Sequence, residues 1–325
     1  MVFSTLAFWV VLGASVVNAA PASRATQSLP SFVLDNAPIS YLYSKEEYWP
    51  ADIAEHLTHV TPQVDKKNVA DSVTFSSIAT LSNDTYLTSK DDVQDGPSWL
   101  LGVQPDSTGF TQAPATIITV EKPGGIIDAF YFYFYSFDFG EYLGLEFGSH
   151  VGDWEHSMVR FANGQPDSLY LSAHSGGSAY KFDAVPKLNG RPITYIATGT
   201  HANYIKAGTI QHDAPLLVDH TDAGHLWDVT KNFRGFTYDN STGVFASAGG
   251  VSTGGSEQGG EGVGWLNFGG HWGDQEYTII IKDGQYCVTP TECKFVDGPT
   301  GPKAKNLGRT AVCQKEADCT VNTSV

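Results

Sequence analysis

The run Phe130-Tyr131-Phe132-Tyr133-Phe134-Tyr135 alternates two aromatic residue types without interruption. Successive side chains of a β-strand face opposite sides, so this run predicts a strand with every Phe ring on one face and every Tyr ring on the other. We expect the Phe face to lie in a hydrophobic core. The Tyr face either lies in a core as well or lines a polar cavity, where the hydroxyl groups find hydrogen-bond partners.

Several shorter segments also have the character of strands. They are rich in β-branched or alternating apolar residues and are separated by turns rich in Gly, Pro and Asn. The predicted strands cover residues 39–43, 116–121, 155–161, 168–173, 193–198 and 276–282. A short helix is predicted at Trp49–Leu57, with Pro50 in its first turn. The sequence therefore predicts a mostly β chain that folds as a β-sandwich with a few short helices.

The N-terminal residues 1–19 predict a secretory signal peptide. An apolar run from Leu6 to Val17 is followed by small residues that end at Ala19, as before a cleavage site. A transmembrane helix needs roughly 20 apolar residues, and this run is shorter, so we expect no transmembrane segment. The chain is therefore expected to enter the secretory pathway and to be secreted (extracellular) or vacuolar.

The rest of the chain is expected to have three parts. A polar leader is predicted over residues 20–37 and a single β-rich domain over residues 38–298. Within the domain, the Gly/Ser-rich stretch 247–264 predicts a flexible surface loop. A polar tail over residues 299–325 follows, and we expect disulfides to hold it.

The cysteines and the glycosylation signals agree with the secretory pathway. An even number of cysteines in such a chain indicates disulfides, and four cysteines allow three pairings. The short segment between Cys287 and Cys293 favours a bond between these two, which leaves Cys313 with Cys319. Three N-x-S/T tripeptides predict a glycoprotein. They begin at Asn83, Asn240 and Asn322.

The charge of the chain bears on its partners. The formal net charge is −16, with 19 Lys and Arg against 35 Asp and Glu. Phosphate backbones repel such a surface, so we expect no nucleic-acid binding, and the same argument disfavours binding to anionic lipid by charge alone. A bound cation is compatible with this balance.

The most informative motif is His150-Val151-Gly152-Asp153-Trp154-Glu155. Asp153 and Glu155 are two apart, so on an extended chain they face the same side. His150 precedes an expected turn at Gly152 and can fold back toward them. One imidazole and two carboxylates form a mixed nitrogen and oxygen ligand set, which suits Ca²⁺, Mg²⁺, Mn²⁺ or Zn²⁺. The competing interpretation is a structural turn that Asp153 caps.

The H-x-G-D-x-E spacing recurs at His271-Trp272-Gly273-Asp274-Gln275-Glu276, again before an apolar segment. For this second copy we favour the structural turn. Three more histidine positions are candidates for chemistry. His174 and His201 each end a predicted strand beside glycine, which can present an imidazole to a cleft or simply hold a turn. The polar stretch around His212 and Asp219 predicts a solvated loop, and the alternative is that it supplies a further ligand.

Four segments resemble the vacuolar protein sorting-associated protein 62 family of fungi. They are Tyr48-Trp49-Pro50, His150-Val151-Gly152-Asp153-Trp154-Glu155-His156, Ala173-His174-Ser175-Gly176-Gly177 and Gly199-Thr200-His201-Ala202. The resemblance covers most of residues 38–282. It implies a role in the delivery of proteins to the vacuole and implies no established chemistry.

A more distant resemblance is to the secreted necrosis- and ethylene-inducing-like proteins. It is carried by His150, Asp153, Trp154 and Glu155 after an aromatic strand. It implies a β-sandwich in which these residues bind a divalent cation and help to recognise a lipid head group. An upstream acidic residue completes the site in that family, and Asp138 or Glu141 corresponds to it here. The cysteine pattern of that family is not reproduced, so cytolytic activity is not implied.

Three functional hypotheses follow from these residues. In the first, a divalent metal ion, preferably Ca²⁺, Mg²⁺ or Mn²⁺ and otherwise Zn²⁺, is held by Asp138, His150, Asp153 and Glu155 and recognises a polar lipid head group or glycan. In the second, the same site belongs to a metal-dependent hydrolase in which His174 or His201 acts as general acid or base. In the third, the chain is a trafficking factor for vacuolar protein delivery without ligand chemistry.

Overall fold

The computed structural model describes residues 1, 28–142, 144–212, 218–251, 262–278, 284–289 and 292–325. The expected signal peptide and residues 20–27 of the expected leader therefore lie, apart from Met1, outside the described residues. None of the helices formed by the residues in these ranges is long and apolar enough to span a membrane.

Short helices and many strands make up the described chain. The α-helices are α1 (Ser31–Asp35) and α2 (Ile53–Thr58). The first half of the strands are β1 (Ile39–Leu42), β2 (Val60–Val64), β3 (Lys67–Asn68), β4 (Tyr86–Ser89), β5 (Ala115–Lys122), β6 (Ile126–Asp138), β7 (Glu141–Tyr142), β8 (Leu145–Glu146), β9 (His150–Ala162), β10 (Gln165–Ala173) and β11 (Gly176–Lys181). The second half are β12 (Lys187–Leu188), β13 (Arg191–Ile196), β14 (Asn203–Tyr204), β15 (Gly208–Gln211), β16 (Val218–Thr221), β17 (His225–Trp227), β18 (Phe233–Asp239), β19 (Val244–Val251), β20 (Cys287–Thr289), β21 (Glu292–Cys293) and β22 (Val321–Asn322). Single turns of 3₁₀ helix lie at Ile78–Thr80, Val93–Asp95, Ser98–Leu101, Phe182–Ala184, Val229–Lys231, Gly264–Asn267 and Pro302–Ala304.

The largest sheet has eight strands in the order β19-β18-β5-β6-β9-β10-β11-β22. Its centre is the antiparallel pair β6 and β9, each 13 residues long. They pair along their whole length, from Ile126 opposite Ala162 to Asp138 opposite His150. The predicted aromatic strand is therefore confirmed, and it lies in the middle of the sheet.

The two faces of β6 bury different side chains. Phe130, Phe132 and Phe134 pack with α2 and with the Trp154 and Trp272 rings on one side of the sheet. On the other side, the Tyr rings at positions 131, 133 and 135 pack in a second core against a smaller sheet of β12, β13, β1 and β17, with β14 paired to β13. Both faces of the aromatic strand are thus cores, and the prediction of a mostly β, sandwich-like chain is confirmed.

Some predicted boundaries are wrong. The helix expected at Trp49–Leu57 begins at Ile53, because the Asp52 side chain accepts a hydrogen bond from the amide of Ala54 and caps it there. Residues 247–251, expected in a loop, continue β19, which pairs with β18. Of the strand expected at 276–282, residues 276–278 have no strand structure and the remaining four lie outside the described ranges.

Residues 28–37 and the C-terminal residues both pack against the domain. Val33 of α1, in the expected polar leader, is fully buried in the second core. The expected tail contributes buried Leu307 and Arg309 and pairs β22 with β11. Both disulfides form as expected, Cys287 with Cys293 and Cys313 with Cys319.

Candidate metal centre

The register of β6 and β9 brings the predicted ligands to one end of the large sheet. Asp138 lies opposite His150, and Asp153 lies opposite Tyr135. In a regular strand, residues three apart face opposite sides, yet His150 and Asp153 line the same cavity. Gly152 between them has a φ of 68°, in the left-handed region, and this redirects the chain. The turn expected at Gly152 is therefore a change of direction within β9. As expected, it brings His150 to the same side as Asp153.

Gly152 also allows the two copies of the motif to pack together. A Cβ on Gly152 would overlap the carbonyl oxygen of Trp272, and a Cβ on Gly273 would overlap that of Val151. The two H-x-G-D segments thus touch backbone to backbone, which requires glycine on both sides.

The cavity has a volume of about 360 Å³ and collects most of the predicted site residues. Asp138, His150, Asp153 and Glu155 line it together, and so does the alternative ligand Glu141. The same cavity is lined by His174 and by residues that the sequence pattern marks weakly or not at all. These are Thr200, His212, Asp219 and Lys305.

His150 makes the second hydrogen bond that is typical of a metal-binding histidine. Its Nδ1 lies 2.8 Å from the carbonyl oxygen of Gly152, to which it donates a hydrogen bond. This bond fixes the tautomer and leaves the lone pair on Nε2, which lies 3.9 Å from Oδ2 of Asp138. Metal-binding histidines characteristically donate their other ring nitrogen to a carbonyl or carboxylate in this way.

The acidic side chains of the cavity repel one another. Burial, together with the charges of Asp153 and Glu155, raises the pKa of Asp138 well above its usual range. Burial and the charge of Asp153 raise the pKa of Glu155 to about 7, although the Ser172 hydroxyl donates a hydrogen bond to it. A bound cation would relieve this repulsion, so the donor set fits a hard divalent metal ion.

Asp153 is held in place by His201. Nδ1 of His201 lies 3.1 Å from Oδ2 of Asp153, and its Nε2 lies 3.0 Å from the carbonyl oxygen of Tyr48. The His201 ring is fully buried and stacks on Tyr135 at 3.5 Å between centroids. Burial opposes ionisation of Asp153, but the hydrogen bond from His201 and the charges of His201 and His150 outweigh it and lower the pKa of this carboxyl.

His201 therefore lies behind the cavity rather than on its rim. One atom each from Asp138, Asp153 and His201 lies within 4.8 Å of the others, so these three come within ligand range of one point. His201 orients Asp153 through the hydrogen bond from Nδ1, and it could supply a nitrogen ligand only by giving up one of its two hydrogen bonds. His174, in contrast, faces the cavity directly.

The second copy of the motif makes structural contacts. Asp274 is buried and accepts hydrogen bonds from the amide of Ser89 and the hydroxyl of Tyr277. His271 donates to the carbonyl oxygen of Gly298 at 2.5 Å, and Glu276 is exposed. These contacts fit the interpretation of this copy as a structural turn.

Comparisons with known proteins place the chain among fungal relatives. The family model for vacuolar protein sorting-associated protein 62 matches residues 141–275. The Saccharomyces cerevisiae vacuolar protein sorting-associated protein 62 is 38% identical over 329 residues, covering 89% of this chain and 68% of the relative. A putative vacuolar protein sorting-associated protein of the same yeast, TDA6, is 37% identical, covering 88% and 68%.

The solved structures that match the chain are more distant in sequence. Necrosis and ethylene inducing protein 2 from the agent of cocoa's witches' broom disease is 15% identical with a TM-score of 0.30, covering 61% of this chain and 76% of its own. NLPPya in complex with mannosamine is 13% identical with a TM-score of 0.29, covering 67% and 80%. At these scores the superposition is too loose to transfer a binding site.

Proposed function

The chain belongs to the vacuolar protein sorting-associated protein 62 family, and from that premise we propose that its site binds a divalent cation and uses it to recognise a polar head group or glycan. Asp138, His150, Asp153 and Glu155 would hold the cation. The family name points to the vacuole or the secretory pathway, and two disulfides fit an oxidising compartment. We further propose that the chain is either secreted from the cell or delivered to the vacuole.

The observation that carries the proposal is the orientation of His150. Its hydrogen bond to the Gly152 carbonyl presents Nε2 to a cavity whose other walls carry Asp138, Asp153 and Glu155. Three carboxylates and one imidazole favour Ca²⁺, Mg²⁺ or Mn²⁺, with Zn²⁺ as the remaining candidate. The bound cation would supply a positive centre to which oxygen atoms of a ligand can coordinate.

The size and polarity of the cavity favour a polyhydroxylated ligand. Its volume of about 360 Å³ lies in the range of small-molecule sites, roughly 300–1,000 Å³. Thr200 and Lys305 add a hydroxyl and an ammonium group to its wall. Vicinal hydroxyls of a sugar or of a sugar-bearing lipid head group could coordinate the cation and bond to these groups.

A metal-dependent hydrolase is a second candidate, and one contact favours it. Nε2 of His174 lies 2.7 Å from Oδ2 of Asp219 on the wall of the same cavity, an arrangement that orients an imidazole for proton transfer. His201, the other predicted acid or base, is separated from the cavity by Asp153. In the third candidate, a trafficking factor, the cavity would bind neither cation nor sugar.

Metal-dependent binding tests the proposal. The purified chain should bind members of a glycan array or vesicles that carry glycosylated lipids when Mn²⁺ or Ca²⁺ is present, and a chelator should abolish binding. Binding to the free glycan separates a glycan ligand from a lipid one. Turnover of phosphoesters or glycosides would favour the hydrolase, and binding that ignores the chelator would contradict the proposal.

A further inference from the structure

A second group of metal-binding side chains lies on another wall of the same cavity. His174 ends β10, His212 follows β15, and Asp219 lies in β16, so three separate segments converge. One atom from each of the three side chains lies within 4.8 Å of the other two. This group shares no residue with the predicted ligand set, and it stands whether or not the function proposed above is correct.

The two imidazoles are arranged around one carboxylate. The His174 and His212 rings stack at 3.8 Å between centroids with an interplanar angle of 18°. Nε2 of His174 lies 2.7 Å from Oδ2 of Asp219, and Nε2 of His212 lies 3.7 Å from Oδ1. Zinc ligands at bond lengths of about 2.0–2.1 Å stand roughly 3.3 Å apart in a tetrahedron. The two observed distances, which end on the two different oxygens of Asp219, lie on either side of that separation.

Neighbouring hydroxyl groups hold the carboxylate in position. The side chain of Asp219 is 1% exposed, and it accepts hydrogen bonds from the Thr200 hydroxyl at 2.8 Å and from the Tyr204 hydroxyl at 2.6 Å. Outer contacts of this kind orient ligating carboxylates in metal sites. A carboxylate held by two hydroxyl groups beside two imidazoles needs little rearrangement to bind a cation.

The backbone at His174 is held in an unfavourable conformation. Its φ of 51° is in the left-handed region, which costs a residue other than glycine about 1–2 kcal/mol. His174 opens the two-residue turn between β10 and β11, where Ala173 pairs with Gly176, and hairpin turns of this length use a positive φ at their first position. The turn directs the imidazole toward Asp219 and into the cavity.

We propose that His174, His212 and Asp219 bind a zinc-like cation with an open coordination position that faces the cavity. Two imidazoles and one carboxylate suit zinc and similar transition metals, whereas the carboxylate-rich set around Asp153 suits harder ions. Three protein ligands leave the fourth position for water or for an oxygen or anionic group of a ligand. The cavity would then hold two cations of different preference.

Zinc and cobalt binding by the full chain test this site. The chelator-treated protein should take up zinc, measured by mass spectrometry of the metal after dialysis, and Co²⁺ in its place should give the visible absorption of a tetrahedral site. His212→Ala should lower zinc affinity by at least about tenfold, as loss of a ligand or its support does. His220→Ala, which removes an exposed histidine next to Asp219, should leave zinc affinity unchanged.

The variants also separate the two sites. Asp153→Asn should keep zinc and lose Mn²⁺, and His212→Ala should do the opposite. If His212→Ala does not fold, His174→Gln and the cobalt spectrum of the unmodified chain carry the test. The inference would be overturned if the unmodified chain takes up no zinc. It would also be overturned if His212→Ala and His174→Gln bind zinc as tightly as the unmodified chain does.

Discussion

His56 is a buried histidine that joins α2 to the second copy of the motif. Its Nε2 donates to the carbonyl oxygen of Trp272, and its Nδ1 accepts from the Ser136 hydroxyl, both at 3.1 Å. The neutral ring is therefore fully hydrogen-bonded. Burial lowers the pKa of His56 from 6.5 to about 4, because the charged form is poorly solvated there.

This shift predicts a dependence of stability on pH. Between pH 6.5 and pH 4 the unfolded chain binds a proton at His56 and the folded chain does not, so the contribution of His56 to stability falls as the pH falls through this window. The loss should reach about 3 kcal/mol at the acid end. Urea unfolding of the wild type and of His56→Gln from pH 7 to pH 4 measures this loss. The difference in free energy of unfolding between the two proteins should shrink as the pH falls. A difference in free energy of unfolding that stays constant over this pH range would contradict this account of His56.

Residue patterns predicted the donor set but not everything that surrounds it. His150, Asp153 and Glu155 are recognisable because their spacing is local, and the structure brings Asp138 within 3.9 Å of His150. Lys305 was not recognised, because nothing in its local sequence distinguishes it from a solvated residue. His212 and Asp219 were expected in a solvated loop, but side-chain contacts with His174 and Thr200, distant in sequence, bury Asp219.

At the scale of elements, the contact between the two H-x-G-D segments sets the position of the site. The backbone of Gly152 contacts that of Trp272. The residues just before β9, the strand that carries His150, are also hydrogen-bonded to the C-terminal part of the chain. The amides of Gly148 and Ser149 donate to the carbonyl oxygens of Cys293 and Lys294, beside the disulfide-closed hairpin of β20 and β21. The contact with Trp272 and the hydrogen bonds to Cys293 and Lys294 together fix the start of β9.

Gly152→Ala should therefore be strongly destabilising. The new Cβ would stand at a left-handed φ and also overlap the Trp272 carbonyl, which together should cost about 2–5 kcal/mol. Gly243→Ala is the matched control, because its φ is 71° and nothing lies within 4 Å of its Cβ position. Denaturant unfolding compares the two variants. Equal losses of stability would show that the contact between the motifs does not matter.

Alternating residue patterns predicted where strands lie better than they predicted the residues at which strands and loops begin and end. The strands at 130–135 and 168–173 lie where expected because burial on two faces imposes strict residue types. The loop expected at 247–264 begins later than its composition indicates, because residues 247–251 pair with β18 and small residues suffice at that edge of the sheet. The register between β6 and β9 was not predictable, and it is this register that places Asp138 beside His150.

At the scale of the whole molecule, the large sheet separates two cores and carries the cavity at one end. The C-terminal residues are part of this architecture, since the Arg309 guanidinium packs over the Phe130 and Tyr170 rings and bonds to His156. The sequence predicts a polar tail over residues 299–325 that is held by disulfides. The structure instead gives the tail a buried place in the domain.

The central claim is that the cavity is a cation-binding site, and Asp153→Asn tests it most directly. Asparagine keeps the size of the side chain and can still cap a turn, but it removes the charge that a cation needs. Asp274→Asn, the same change in the second copy of the motif, is the matched control. Calorimetric titration of the chelator-treated proteins with Ca²⁺, Mg²⁺, Mn²⁺ and Zn²⁺ measures the effect. We expect Asp153→Asn to fold and to lose at least about tenfold in affinity for a hard cation, while Asp274→Asn binds as the wild type does. Equal binding by the wild type and Asp153→Asn, or no binding by the wild type, would contradict the claim.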